Sequence, residues 1–134
     1  MIKLIGIALS LCVASTAQAE ILASYYTTIG PADRVNSSGA PLTDFGAILQ
    51  QDRANAHRFG RPNPGDERDP FFGVRKMRAA IPTLFARGGN GGDYWRIQAN
   101  SPYDITILVF ICGSGGRPAY LKVNPADGDG YSGC

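Results

Sequence analysis

Ile105 to Ile111 is an almost unbroken run of apolar side chains, with Asn100-Ser101-Pro102 before it and Gly113-Ser114-Gly115-Gly116 after it. So short a run between turn residues predicts a central strand covered on both faces, with helices against at least one. That strand, Asp104 to Cys112, sets the rest of the plan. Pro118 to Val123 follows across the glycine turn as its antiparallel neighbour, and Asp93 to Ala99 precedes it as another strand of a meander. Near the start, Ile21 to Ile29 is rich in β-branched and aromatic residues and predicts a first strand, closed by Gly30-Pro31.

Two helices are expected between the first strand and the other three. Thr43 reads as an N-cap, with Asp44 in the first turn at the positive end of the helix dipole. Phe45, Ile48, Leu49, Ala56 and Phe59 recur at helical spacing up to a stop at Gly60. Asp69-Pro70 then offers a cap followed by proline at the first helical position. Phe71, Val74, Met77 or Arg78, Ile81, Leu84 and Phe85 form the second stripe, broken or kinked at Pro82 and ended by Gly88-Gly89. The expected fold is a small single α+β domain: an antiparallel sheet of about four strands with two helices packed on it, in the order β-α-α-β-β-β.

The N-terminus changes the chemistry expected of the cysteines. Lys3, the apolar run Leu4 to Val13 and the small-x-small pattern Ala17-Gln18-Ala19 read as a signal peptide over residues 1–19, cut after Ala19. The apolar run is shorter than the roughly 20 residues that cross a bilayer, so no transmembrane span is expected in the mature form. The working domain is then residues 20–134, periplasmic or secreted. Cys12 leaves with the leader, and Cys112 and Cys134 remain as an even pair in an oxidising compartment, which predicts a disulfide.

The formal charge of +2 includes Lys3, so the mature domain carries about +1. Such near-neutrality argues against nucleic acid as a partner. The middle of the chain is locally basic (Arg53, Arg58, Arg61, Arg68, Arg75, Arg78), but Asp44, Asp52, Asp66, Glu67 and Asp69 are interleaved. Mixed signs of this kind predict a solvated surface with local ion pairs.

Asp52 falls on the apolar stripe of the first helix, so its carboxylate needs a partner; Arg53, His57 and Arg58 are the candidates. As an acid/base pair, Asp52 and His57, with an arginine such as Arg53, would make a small hydrolase. Residues five apart are not adjacent on a helix and no nucleophile accompanies them, which favours a structural anchor. One His and no paired-Cys spacing give zinc no support. The glycine stretches at 88–92 and 113–116 lack the strand-loop-helix setting of a phosphate loop. Asp127-Gly128-Asp129-Gly130 matches only part of a calcium loop, with Pro125 at the first ligand position. No cofactor or metal is expected. Asn36-Ser37-Ser38 matches a glycosylation acceptor triplet.

The stretch Gln51 to Gly60, with Gly30-Pro31-Ala32-Asp33, Asn36-Ser37-Ser38-Gly39, Gly65-Asp66 and Phe71-Phe72, resembles a group of small uncharacterised exported bacterial proteins. The resemblance implies a bacterial, periplasmic address and brings no activity, cofactor or partner with it. The expected function is non-enzymatic binding of another macromolecule in the cell envelope, with a hydrolase using Asp52 and His57, or a structural subunit of an envelope assembly, as alternatives. Tyr25, Tyr26, Trp95, Tyr103, Tyr120 and Tyr131 supply aromatic groups of the kind that binding surfaces use.

Overall fold

Three antiparallel strands, β1 (Glu20–Ile29), β2 (Ile105–Ser114) and β3 (Arg117–Pro125), form one sheet in the order β1-β2-β3. The computed structural model describes residues 12–14, 18–128 and 130–134, so most of the leader predicted over residues 1–19 lies outside the described residues. Register places Tyr25 opposite Val109 and Val109 opposite Val123, with β2 in the middle as its apolar run requires.

Among the described residues, the helices fall between β1 and β2: a 3-10 turn (Pro31–Arg34), α1 (Phe45–His57), α2 (Arg75–Ala79), α3 (Ile81–Arg87) and α4 (Asp93–Ala99). They pack on one face of the sheet. Because side chains alternate along a strand, Tyr25, Thr27 and Ile29 of β1, Ile107, Val109 and Ile111 of β2, and Leu121 and Val123 of β3 point to that face. They meet Phe45, Ile48 and Leu49 of α1, Phe72, and Ile81, Leu84 and Phe85 of α3 in one apolar core.

The opposite face, which carries Leu108, Phe110 and Cys112, is covered by the C-terminal tail. Cys112 and Cys134 form the expected disulfide, with their Cα atoms 5.6 Å apart. Asn124 seals the tail beside it: its Nδ2 donates to the Ser132 carbonyl at 3.1 Å, and its Oδ1 accepts from Ser132 N at 2.7 Å. The Tyr131 ring stands edge-on to Phe110 at 6.4 Å.

The element count differs from the sequence expectation at α4, where a fourth strand was predicted over Asp93 to Ala99. Tyr94, Trp95 and Ile97 have strand propensity, but the buried residues of this segment are Trp95 and Ala99, four apart. That is helical spacing, and it lets Trp95 stack at 4.6 Å on Phe45 and edge-on at 6.3 Å to Phe85. A large aromatic contact outweighs a propensity difference of about 1 kcal/mol.

The second predicted helix is two helices, α2 and α3, meeting at Ala80. Pro82 lies in the first turn of α3, where its missing N–H is tolerated but its ring prevents the preceding helix from running on. The helical path begins at Arg75 rather than Pro70, because Asp69 Oδ1 accepts from the N–H groups of both Phe71 and Phe72 and holds them in a turn. The cap of α1 is Asp44 rather than Thr43: the Asp44 carboxylate accepts from Ala47 N at 3.0 Å.

Both free edges of the sheet are closed by side chains. On β1, Glu67 Oε1 accepts from Tyr26 N and Asp66 Oδ1 from Thr28 N, while Asn63 donates to the Thr28 carbonyl. The polar connector Arg61–Asp69 therefore serves as an edge cover. On β3, Asn90 accepts from Val123 N at 3.0 Å and donates to the Leu121 carbonyl. Gly88 makes this approach feasible, since a Cβ there would lie 1.6 Å from Leu121 O.

Candidate functional site

Thr27 on β1, Asp52 and Arg53 on α1, and Asp69 in the turn before α2 converge beneath the helices, all four buried. Arg53 is the centre. Its Nε donates to Asp52 Oδ2 at 2.7 Å, its Nη2 to Thr27 Oγ1 at 2.8 Å, and its Nη1 to the Glu67 carbonyl at 2.8 Å and Asp69 Oδ2 at 3.3 Å. Thr27 in turn donates to Asp52 Oδ1 at 2.8 Å. The guanidinium stacks over the Tyr25 ring, 4.2 Å from its centroid.

The sequence places Asp52 and Arg53 together correctly but not His57. Its Nε2 donates to Asp69 Oδ2 at 2.7 Å, so the histidine's carboxylate partner is Asp69, a residue read in sequence as a helix cap. Asp69 and Thr27 are the members that sequence reasoning missed. They lie 16 and 26 positions from Arg53, and no local pattern joins them to it.

Two carboxylates share one guanidinium here, and their environments divide them. Asp69 is lowered from the usual carboxylate value: burial raises it, but the N–H groups of Phe72 and Phe71, His57 and Arg53 together outweigh burial. Asp52 has fewer donors, and burial pushes it up to about 7 against the pull of Arg53 and Thr27, with Asp33 adding to the rise. Burial works against the charge of Arg53, yet the neighbouring Tyr25, Asp52 and Asp69 hold it above its ordinary value. Four of the five Arg53 N–H groups are bonded within the protein, and they join β1, α1 and the connector.

The opposite side of α1 is open to solvent. A groove of about 370 Å³ runs between α1, the loop after the 3-10 turn and α2, with Gln50, Gln51 and Arg58 along α1 and Arg75 and Arg78 on its far wall. A second cavity of about 320 Å³, bordered by Arg61, adjoins it and shares Gln51 and Phe59 in its lining. No acidic residue lines either part.

Such an arginine-only lining follows from how the fold sorts its charges. Of the interleaved acids, Asp52 and Asp69 turn into the buried cluster, and Asp66 and Glu67 bond to the edge of β1. Among the described residues, the ion pairs are Arg53 with Asp52 and Asp69, His57 with Asp69, and Arg96 with Asp93. Arg58, Arg61, Arg75 and Arg78 have no acidic partner there, so the local ion pairs expected from the mixed signs do not form around them.

Arg78 is preorganised. It is 7% exposed, and its Nη1 donates at 2.9 Å to the carbonyls of both Phe72 and Gly73. Its Nε and Nη2 make no hydrogen bond among the described residues, and the residue borders the groove. Arg58 stacks on Phe59, 5.0 Å from the ring centroid.

A second cleft, of about 410 Å³, lies between Phe45, Phe85, Trp95 and Asn90. Among the described residues no three His, Cys, Asp or Glu side chains converge as a metal site requires. Asp129, in the partial calcium pattern, lies outside the described residues. Asn36 of the glycosylation triplet accepts from the N–H groups of Ser38 and Ala40 and shapes the groove's loop wall. No family model, curated protein or solved structure matches this chain.

Proposed function

We propose that this chain is an exported, non-enzymatic binding protein that captures an anionic partner in the cell envelope through the arginine-lined groove on α1. The observation that carries this reading is the separation of charge: the interleaved acids are taken up by the buried cluster, the β1 edge and the cap of α1, and Arg58, Arg75 and Arg78 line an open cavity with no acid in its lining. Arginine is suited to such a surface because its planar fork donates two parallel hydrogen bonds to one anion. An extracytoplasmic address is supported by the disulfide, which persists in oxidising compartments. Among the described residues no helix is long and apolar enough to cross a membrane.

The rival hydrolase would need Asp52 and His57 to act together. They bond to different partners, Asp52 is fully enclosed, and the His57 ring is held by Asp69.

Affinity capture from the envelope fraction, comparing wild type with the R58Q/R75Q double variant, tests the proposal. Both side chains are exposed, so the variant should keep the wild-type fold. The expected result is a partner retained by wild type and lost by the variant. Equal recovery on both, or nothing above background at native expression, would remove the groove as the binding surface.

A further inference from the structure

The lining of the groove discriminates between kinds of anion. A phosphate chain offers acceptors only, and a site built for it presents donors throughout. This groove mixes its donors with an acceptor and with apolar surface. Gln51, which borders both cavities, donates through Nε2 to Asn55 Oδ1 at 2.9 Å, which fixes the amide; its Oε1 accepts no hydrogen bond among the described residues. Along the same wall Ala47 and Ala54 lie two helical turns apart, and Leu42 and the 42% exposed ring of Phe59 add apolar contact.

A peptide carrying carboxylates has all the complementary groups: anionic side chains for the arginine forks, backbone N–H groups for a fixed amide oxygen, and apolar side chains for the alanine and phenylalanine surface. Two neighbouring cavities that share Gln51 and Phe59 in their linings offer room for more than a compact ion.

We infer that the groove is a receptor for an extended acidic peptide segment, whose carboxylates bind Arg58, Arg75 and the preorganised Arg78 and whose backbone donates to Gln51 Oε1. The inference rests on the binding function proposed above and specifies its partner as protein.

Fluorescence anisotropy with a labelled peptide of alternating glutamate and alanine tests it on the full mature chain. Saturable binding is expected, weakening steeply with salt and by at least about tenfold in R58Q/R75Q, as loss of two charge-assisted contacts implies. Q51L separates the ligand classes, because it should weaken the peptide while leaving inorganic polyphosphate unaffected.

Absence of saturable peptide binding would overturn the inference. So would polyphosphate or phosphatidylglycerol vesicles binding more tightly than the peptide, with the same loss in R58Q/R75Q. If the peptide fails while envelope capture still depends on Arg58 and Arg75, the binding function stands and only the peptide assignment falls. If capture is also indifferent to the arginines, both fall.

Discussion

Asp69 and Asp52 pull the stability of this protein in opposite directions as pH changes. The folded state lowers Asp69 below its ordinary 3.8, so its contribution is present above that value and is lost as pH falls through the folded pKa. Asp52 is raised to about 7, so its contribution is present below 3.8 and is lost as pH rises through about 7. Unfolding free energy, measured by urea titration across pH, should therefore peak close to the ordinary carboxylate value of 3.8 and fall on both sides. D69N should flatten the fall below that value, and D52N the fall between it and about pH 7. D69N should also lose about 3 to 5 kcal/mol near neutral pH, because Arg53 and His57 are then buried without that anionic partner. A curve unchanged by either substitution would mean that neither carboxylate carries the pH dependence. Tyr25 supplies a contrasting case in the same cluster. Its hydroxyl is the buried side-chain polar atom without a hydrogen-bond partner among the described residues, while its ring carries the stack with Arg53. Y25F should be neutral or stabilising by up to about 1 kcal/mol, since it removes an unpaired hydroxyl and keeps the ring. A loss of stability in thermal unfolding would show that the hydroxyl is bonded in solution.

At the scale of elements, the start of α1 depends on which of two adjacent residues caps it. Asp44 accepts from Ala47 N and sits, charged, at the positive end of the helix. D44A should cost about 1 kcal/mol, read as a lower denaturant midpoint at unchanged slope, and T43A well under half of that. The reverse order would reinstate Thr43 as the cap. Boundaries of this kind were only partly legible in sequence. The span of α1 was, because its apolar stripe has a clear period and Gly60, at φ +59°, supplies the left-handed exit that glycine favours. The onset of α2 was not, because it is decided by Asp69 bonding to Phe71 and Phe72 and by Arg78 claiming the carbonyls of Phe72 and Gly73. Nor was α4: a propensity favouring strand was overridden by the aromatic site that Phe45 and Phe85 offer to Trp95.

For the whole molecule, the disulfide joins the tail to the sheet face away from the helices, leaving the main core to stand on its own contacts. The C112S/C134S variant should lose about 3 kcal/mol in the chain-entropy model for a loop of 22 residues. Its local signature should be faster amide hydrogen exchange at Ser132 and its neighbours, with protection of Val109 and Leu121 reduced only by the global loss. Uniform loss of protection would show that the tail and the core form one cooperative unit. The groove on α1 lies on the far side of the sheet from this staple, so binding by the folded double-serine variant should match wild type.

Much was settled by the chain alone, wherever the cause is local or periodic. The apolar run Ile105 to Ile111 could only be an interior strand, the β-branched stretch Ile21 to Ile29 another, and an even pair of cysteines a bridge. The buried position of Asp52 followed from its place on the stripe of α1. Tertiary structure alone decided which charges meet. Arg53 binds Asp69 and Thr27 from distant segments, His57 takes Asp69 instead of Asp52, and Asp52 and Asp69 turn inward while Arg58, Arg61 and Arg75 remain outside. The physical reason is that a carboxylate's partner is set by distance in space and by the cost of burying charge unpaired. Order along the chain carries neither quantity, so the groove became visible only once the acids had been placed.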